Sequence, residues 1–385
     1  MKGKVRKVCV ITGTRAEYGI LKPILERIRS SRRLRLSLIA TGMHLAREFG
    51  NTVELILADG FPVDARVDML LSSDTPPAMA KSLGVGIYGI AQALEEIRPD
   101  VVLVLGDRVE ALAGASAGFL SGLVVAHVHG GDVARGLDEP MRHAITKLSH
   151  LHFAATSKSR ERLIRMGEHP ERVFQVGAPG LDVMLRERLL SKREMRLRFG
   201  LKPHERPILV VQHPLTTEPH QAKDQMLITL RAIKRLGERT FLIYPNADAG
   251  GRAMIEAIRE HEGYPFLTTF VNLPRPEYLS LLKRARVLVG NSSSGIIEAP
   301  AFRIPVVNIG ERQAGRERST NIIDVPHREE EILKAIRKAT RDRAFLRKVE
   351  TCHNPYGDGR AGERIARTLE RVSLDESLLA KSLTY

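Results

Sequence analysis

Tryptophan is absent from the 385 residues, and seven Tyr and eleven Phe bring the aromatics to only 5%. So few rings leave little with which to stack exposed bases. Cysteine is almost missing as well. Cys9 and Cys352 stand far apart without metal-ligand neighbours, which excludes a disulfide framework and a zinc site and points to a reduced, cytoplasmic setting with no metal. Long apolar runs are also lacking. The most apolar stretch, Ala111–Val128, is interrupted by Gly114, Ser116, Gly118, Ser121 and Gly122, so it reads as a buried helix followed by a strand and not as a membrane span. Met1–Tyr18 is basic, but its apolar run, Val8–Ile11, is too short for a secretory signal. Acidic residues are in deficit, 45 against 60 basic ones, for a net charge of +15. A nucleic-acid partner is one explanation of such an excess. The excess is spread, however, over Arg27–Arg35, Arg186–Arg198 and Arg312–Arg318, with no nucleic-acid motif beside it. A solvated basic surface around an anionic small-molecule site is the preferred reading, with neither nucleic acid nor membrane as partner.

What is present is a repeating alternation. Lys7–Thr12, Leu34–Ala40, Val101–Leu105, Leu123–Val128 and Leu151–Ala155 are short apolar runs that read as strands buried on both faces. Amphipathic stretches such as Ile20–Arg29, Ala78–Ile97 and Val109–Leu120 lie between them. Strand, helix, strand in this rhythm predicts a doubly wound parallel sheet. The second half repeats it, with strands at Pro207–Gln212, Thr240–Tyr244, Arg286–Val289 and Pro305–Ile309 and helices at Gln221–Leu236, Arg252–Glu260, Pro276–Lys283 and Ile296–Ala301. The length fits two domains. They are placed at 1–185 and 207–361, with a charged helix and linker at 186–206 and a final helical segment, 362–385, packing back on the first domain. The fold class is α/β, two Rossmann-like halves facing a cleft, the usual place for a ligand.

In open parallel sheets ligands bind beyond the carboxyl ends of the strands, and polar or glycine-rich clusters fall there one after another. Thr12–Glu17, Gly106–Arg108 and His129–Asp132 end strands of the first half. Gln212–Pro214, Pro245–Asp248, Gly290–Gly295 and Gly310–Gln313 end those of the second. Gly13-Thr14-Arg15 before a helix is either turn chemistry or a diphosphate contact. Ser292-Ser293-Ser294-Gly295 offers three hydroxyls and helix-start amides, more than capping needs, and reads as a phosphate site. Asp107 and Arg108, taken alone, read as a structural ion pair. His129, Asp132, Asp138 and Glu139 crowd within eleven residues, with Asp138 as the cap of a helix through Met141, Ile145 and Leu148. Arg142 and His143 read as surface residues, and His150 and His152 as core or surface ones. Carboxylates converging on a low-dielectric cleft push one another's pKa values apart, which supplies a proton acceptor and a donor.

The runs Thr12–Gly19, His129–Asp132 with Asp138–Lys147, and Gly290–Pro300 resemble those of hydrolysing UDP-N-acetylglucosamine 2-epimerases of the bacterial sialic-acid pathway type. The likeness extends from about Val8 to Asp324. It implies the two-domain glycosyltransferase B fold, a UDP-sugar substrate, no cofactor and a homo-oligomer, dimer or tetramer. By position it implies catalytic roles for Asp107, Asp132, one of Asp138 and Glu139, and His213. It implies nucleotide contacts from Arg15, Arg108, Asn246, Ser292, Ser293, Glu298 and Arg312, with Glu298 on the ribose and Arg312 near the diphosphate. Conversion of UDP-N-acetylglucosamine to N-acetylmannosamine and UDP, through a glycal, is the expected reaction. The alternatives are the same chemistry on UDP-N,N'-diacetylbacillosamine, a non-hydrolysing epimerase, a glycosyltransferase of the same fold, and a nucleic-acid-binding protein. Two departures matter. Asp132 stands where the family usually has glutamate, and the loop to Asp138 is one residue shorter, changes that suit a differently substituted sugar. Ile20 replaces the lysine of non-hydrolysing enzymes, which favours the hydrolysing branch.

Overall fold

The computed structural model describes residues 5–47, 50–72, 75–133, 138–215, 217–245 and 250–385. The chain folds as two compact units, residues 1–185 with 356–385, and residues 186–355. In the first, β1 (Arg6–Thr12), β2 (Leu34–Thr41), β3 (Ala65–Val67), β4 (Val101–Leu105), β5 (Val124–Val128), β6 (Leu151–Ala154) and β7 (Val173–Gln175) form a parallel sheet in the order β3-β2-β1-β4-β5-β6-β7. Successive side chains of a strand point to opposite faces. Val8 and Val10 of β1 therefore join Leu21, Ile24, Leu25 and Ile28 of α1 (Arg15–Ser30) in one core. Cys9 and Ile11 join Ile90 and Leu94 of α3 (Pro76–Ile97) and Ala113 and Ala117 of α4 (Val109–Leu120) in the other. Between α1 and α3 lies the short α2 (Val53–Ala58). Thr14, Thr75 and Thr156 each accept the backbone N–H three residues on, capping α1, α3 and α6 (Ser157–Arg165). The helix α5 (Asp138–Leu148) follows β5, and α7 (Pro179–Arg186) ends the run.

The second unit opens with α8 (Lys192–Phe199), whose Ser191 and Glu194 form a reciprocal capping box. Its strands, β8 (Ile208–Val211), β9 (Thr240–Ile243), β10 (Leu267–Phe270), β11 (Val287–Gly290), β12 (Val306–Ile309) and β13 (Ile322–Val325), lie parallel in the order β10-β9-β8-β11-β12-β13. Around them pack α9 (Ala222–Leu236), α10 (Gly251–Arg259), α11 (Arg275–Arg284), α12 (Ser293–Ile297), α13 (Glu329–Arg341) and α14 (Arg343–Glu350). Each sheet reverses its strand order once, between β1 and β4 and between β8 and β11. That reversal is where doubly wound sheets open a crevice for ligands.

Residues 186–206, expected as a charged helix and linker, hold α8, and Met195, Phe199 and Leu201 are buried with Leu209 and Phe241 in a core of the second unit. Two expectations are corrected. Residues 356–361 group with the first unit rather than the second. The helix expected at Ile296–Ala301 is α12 followed by a tighter turn, Ala299–Phe302, because Pro300 has no N–H to continue an α-helix.

The chain returns to the first unit as α15 (Ala361–Arg371) and α16 (Glu376–Leu379), with Ile365 and Leu369 buried in the α1-side core. Its entry is fixed by Asp182 of α7. This fully buried carboxylate accepts the N–H groups of Ala361 at 2.9 Å and Gly362 at 2.7 Å, two of the orphan donors at a helix start. Replacing Asp182→Ala leaves those donors buried and unpaired, and urea unfolding should show a loss of roughly 2–3 kcal/mol. A loss within about 0.5 kcal/mol, the scale of an ordinary surface change, would show that α15 is held by its apolar face alone.

Candidate active site

At the carboxyl edge of the first sheet, the loops after β4 and β5 are joined by one guanidinium. Arg142 projects from the second turn of α5, is buried, and pairs with the Asp107 carboxylate through Nη2. Its Nη1 donates to the His129 carbonyl at 2.8 Å. Arg142, read from sequence as a surface residue, is thus the centre of the cluster. Its position one turn beyond Asp138, on the face shared with buried Ile145 and Thr146, is the signal that could have found it.

The loop itself is held in an uncommon shape. His129 has φ of +65° although it carries a side chain. Gly131 has φ of +75°, and a Cβ there would lie 2.3 Å from the Ser159 carbonyl oxygen, so no other residue fits. In this shape His129 Nδ1 meets Asp132 Oδ2 at 2.8 Å, and Ser159 Oγ donates to Asp132 Oδ1 at 2.6 Å. Both Asp132 oxygens are engaged. Asp132 is therefore the carboxylate behind an imidazole, a dyad that sequence reasoning missed. Below it, buried His127 meets the Gly106 carbonyl through Nε2 at 2.7 Å.

The electrostatics separate the two aspartates. Burial raises the Asp107 pKa and the negative charge of Asp138 adds to this, against the opposing pull of Arg142. Burial would raise Asp132 too, but the His129 hydrogen bond and charge, with Ser159 and Arg142, outweigh it and hold that carboxyl below its usual range. Carboxyl groups pushed apart in this way can divide the work of holding and supporting a proton. Asp138 is the first residue of α5 rather than its cap, and Glu139 beside it lies 3.6 Å from His143.

Deeper, at the β1–β4 reversal, lies a second missed group. Glu110 of α4 is buried and binds Arg108 through both carboxylate oxygens, at 3.2 and 3.3 Å. Gly13 and Gly42 cradle it, since a Cβ on either would come within 2.5–2.6 Å of the Glu110 side chain. Glu17, also buried, accepts the Gly13 N–H at 2.9 Å. His44 bridges the hydroxyls of Thr12 and Thr52, at 3.0 and 2.8 Å, and burial pushes its pKa down to about 4. Arg15 stands exposed at the start of α1.

In the second unit Asn291 plays the joining part. Its side chain exchanges hydrogen bonds with the backbone of His213, accepting from N–H at 2.7 Å and donating to C=O at 2.9 Å. Its own carbonyl accepts from Arg312 at 3.3 Å and Gln313 at 2.9 Å. The ends of β8, β11 and β12 are thereby locked together. Gly290 permits this with φ of +129°, where a Cβ would sit 2.1 Å from the Val211 carbonyl oxygen. The serine run is less open than its sequence suggests. Ser292 caps α12 by accepting the Ser294 N–H, and Ser294 turns inward, accepting from Tyr278 at 2.6 Å and donating to Glu298 at 2.5 Å. Glu298 also meets Arg275 at 3.4 Å. Ser292 and Ser293 remain part-exposed at the helix start. Asn246 lies outside the described residues.

With this geometry in hand, comparison with known proteins is direct. The sequence pattern of the UDP-N-acetylglucosamine 2-epimerase family matches residues 26–370. The chain belongs to that family. It is 40% identical, over 99% of its length and all of the relative's, to a UDP-N,N'-diacetylbacillosamine 2-epimerase (hydrolysing) of Legionella pneumophila. It is 35% identical, over 87% of its length and 88% of the relative's, to a UDP-N-acetylglucosamine 2-epimerase of Neisseria meningitidis. The fold matches that of a Neisseria meningitidis UDP-GlcNAc 2-epimerase crystallised with UDP-GlcNAc, at a TM-score of 0.78, 19% identity, and 94% and 99% coverage of the two chains. This epimerase therefore has two Rossmann-like domains of the glycosyltransferase B type. Among the described residues, no helix is long and apolar enough to cross a membrane, and no group of three or more His, Cys, Asp and Glu is placed to hold a metal ion.

The buried carboxylates at the β1–β4 reversal make a pH signature. Burial, then the nearby Glu110, pushes the Glu17 pKa up to about 7, against the Gly13 hydrogen bond and Arg108. An acid with a raised folded-state pKa stabilises the fold fully below its unfolded value, and that contribution is lost as pH rises through about 7. Glu17→Gln is neutral at every pH, so its melting temperature relative to the unmodified protein should climb between pH 5 and pH 8. A difference that stays constant with pH would mean Glu17 does not carry this proton.

Proposed function

We propose that the protein is a hydrolysing 2-epimerase that releases UDP and a free 2-acetamido sugar inverted at C2 from a UDP-linked precursor. The observation that carries this reading is the Asp107–Arg142–His129–Asp132 cluster, in which one carboxyl is raised and the other held ionised behind an imidazole. Elimination needs such a set. As the C1–oxygen bond breaks and UDP leaves, a base takes the C2 proton to give a glycal. Water then adds at C1, and a proton returns to C2 from the opposite face. His129, supported by Asp132, and Asp107 are the groups assigned to proton transfer, with Asp138 and Glu139 tuning their charge. The second unit takes the nucleotide, with Ser292, Ser293, Glu298, Arg312 and Asn246 as its contacts and Arg15 and Arg108 as counter-charges on the first. His213, its backbone fixed by Asn291, serves the leaving group.

Two sugars compete as substrate. UDP-N-acetylglucosamine follows from the sialic-pathway resemblance. UDP-N,N'-diacetylbacillosamine is favoured by the 40% identity across the full length of the Legionella relative, and the shorter Asp132 and its loop suit a changed sugar. Either product would feed synthesis of a nonulosonic acid.

Incubation with each UDP-sugar in deuterated water should give free UDP and a 2-epimeric sugar with deuterium at C2. A UDP-linked epimer as the accumulated product would move the chain to the non-hydrolysing branch, and retained hydrogen at C2 would rule out the elimination. Asp107→Asn and His129→Gln should each lower turnover by roughly a hundredfold or more, the usual scale for general acid–base groups. Stabilisation by UDP, seen as a raised melting temperature, should persist in both. Near-normal turnover in both variants would make the cluster structural. Salt-sensitive binding to RNA or duplex DNA without a UDP effect would favour the nucleic-acid reading.

A further inference from the structure

Ligand chemistry in a doubly wound sheet belongs to the carboxyl edge, yet the second unit has a basic cavity at the amino edge. Arg206 precedes β8, Arg286 precedes β11 and Arg303 lies just before β12, and all three line one hollow of about 430 Å³ with His204. This volume is that of ordinary small-molecule sites. Leu346 and Val349 of α14 supply an apolar floor, and Glu350 is the acidic residue on the wall.

Arginines at this edge have an ordinary use, since carbonyls at helix C-termini attract cations. That use accounts for some of them. Arg206 donates to the Ala285 carbonyl at 3.1 Å, just past the end of α11, and Arg286 pairs with Glu238 at 2.9 Å. Arg284 beside them is taken up by the carbonyls of Glu205 and Lys202, at 3.0 and 3.1 Å. Arg303 is different. It is exposed, its side chain has no hydrogen bond or ion pair among the described residues, and its backbone, whose N–H donates to the Pro300 carbonyl, has φ of +56°, a conformation that disfavours any side chain. Glu238 is moreover shared with Arg341 at 3.1 Å. Positive charge at this wall exceeds its partners. Burial, and then the charges of Arg284 and Arg286, lower the Arg206 pKa.

We propose that this cavity is a second anion-binding site, for a small molecule carrying a phosphate or carboxylate on an uncharged carbon frame. The guanidinium forks of Arg206, Arg286 and Arg303 take the anionic group, and the Leu346–Val349 floor takes the frame. The site is separate from the serine loop after β11, which lies at the other end of the same strands, and its occupation is independent of the reaction proposed above.

The test is calorimetric titration of the full chain with pyrophosphate and, separately, citrate, in the presence of saturating UDP. One further equivalent of pyrophosphate or citrate should bind, and Arg303→Gln and Arg206→Gln should each weaken it tenfold or more while the UDP melting shift persists. The Arg303 side chain has no partner to lose among the described residues, so its variant reports binding and not folding. Pyrophosphate alone would identify a phosphorylated ligand, and citrate alone a carboxylated one. Binding of neither anion once UDP saturates, equal affinity in both variants, or uptake without a one-equivalent endpoint would each overturn the proposal.

Discussion

The Arg142 guanidinium is the contact on which the carboxyl edge of the first unit depends. It ties α5 to the loop after β4 through Asp107 and to the loop after β5 through the His129 carbonyl. A buried charge is tolerable only when paired and hydrogen-bonded, and removing one partner leaves the other uncompensated. Here the pairing also sets chemistry. Arg142 restrains the rise of the Asp107 pKa and helps to hold Asp132 below its usual range, so the same group fixes positions and favours the ionised form of both. The second unit solves the joining problem without charge. Asn291 clasps the His213 backbone and accepts from Arg312 through a carbonyl.

The interior of both sheets was legible from sequence, and the margins were not. β1, β2, β4, β5, β6, β8, β9, β11 and β12 all correspond to runs read as buried strands. Such strands are covered on both faces and spell near-continuous apolar stretches. The strands without a sequence signal are β3, β7, β10 and β13, the two edges of each sheet. They are three or four residues long and half-exposed, as Leu267–Phe270 and Ile322–Val325 show. An edge strand exists because a neighbour offers unpaired backbone groups, and that neighbour is not written in its own residues.

The candidate site divides the same way. Clusters at strand ends could be found because a parallel sheet sends all its carboxyl ends to one edge. What each side chain does there could not, because partners arrive from distant segments. Asp132 reads as one of several converging carboxylates until Ser159, from α6, and His129 take both its oxygens. Glu110 carries no signal in the sequence, and only the fold shows Gly13 and Gly42 closing over it. Ser294 reads as a phosphate ligand until Tyr278, on α11, turns it toward Glu298. In each case the local pattern states the residue's capacity, and a long-range contact decides how that capacity is used.

The two units also show how one topology takes on different tasks. Both reverse strand order once, and both place a glycine-dependent close contact at that reversal: Gly13 against Glu110 in the first, Gly290 against the Val211 carbonyl in the second. The identical architecture does not choose between proton transfer and anion binding. The choice follows from what stands beside the reversal. In the first unit burial raises Glu17, which keeps a proton up to about 7, and Asp107, with Glu110 adding to the first shift and Asp138 to the second. In the second, hydroxyls, amides and Arg312 stand at the strand ends as hydrogen-bond donors, with His213 as the imidazole among them. The proton transfer at C2 proposed above fits the first set, and the proposed phosphate contacts fit the second. On that proposal the division of labour follows from what stands at the strand ends, inside two sheets whose cores are otherwise built alike.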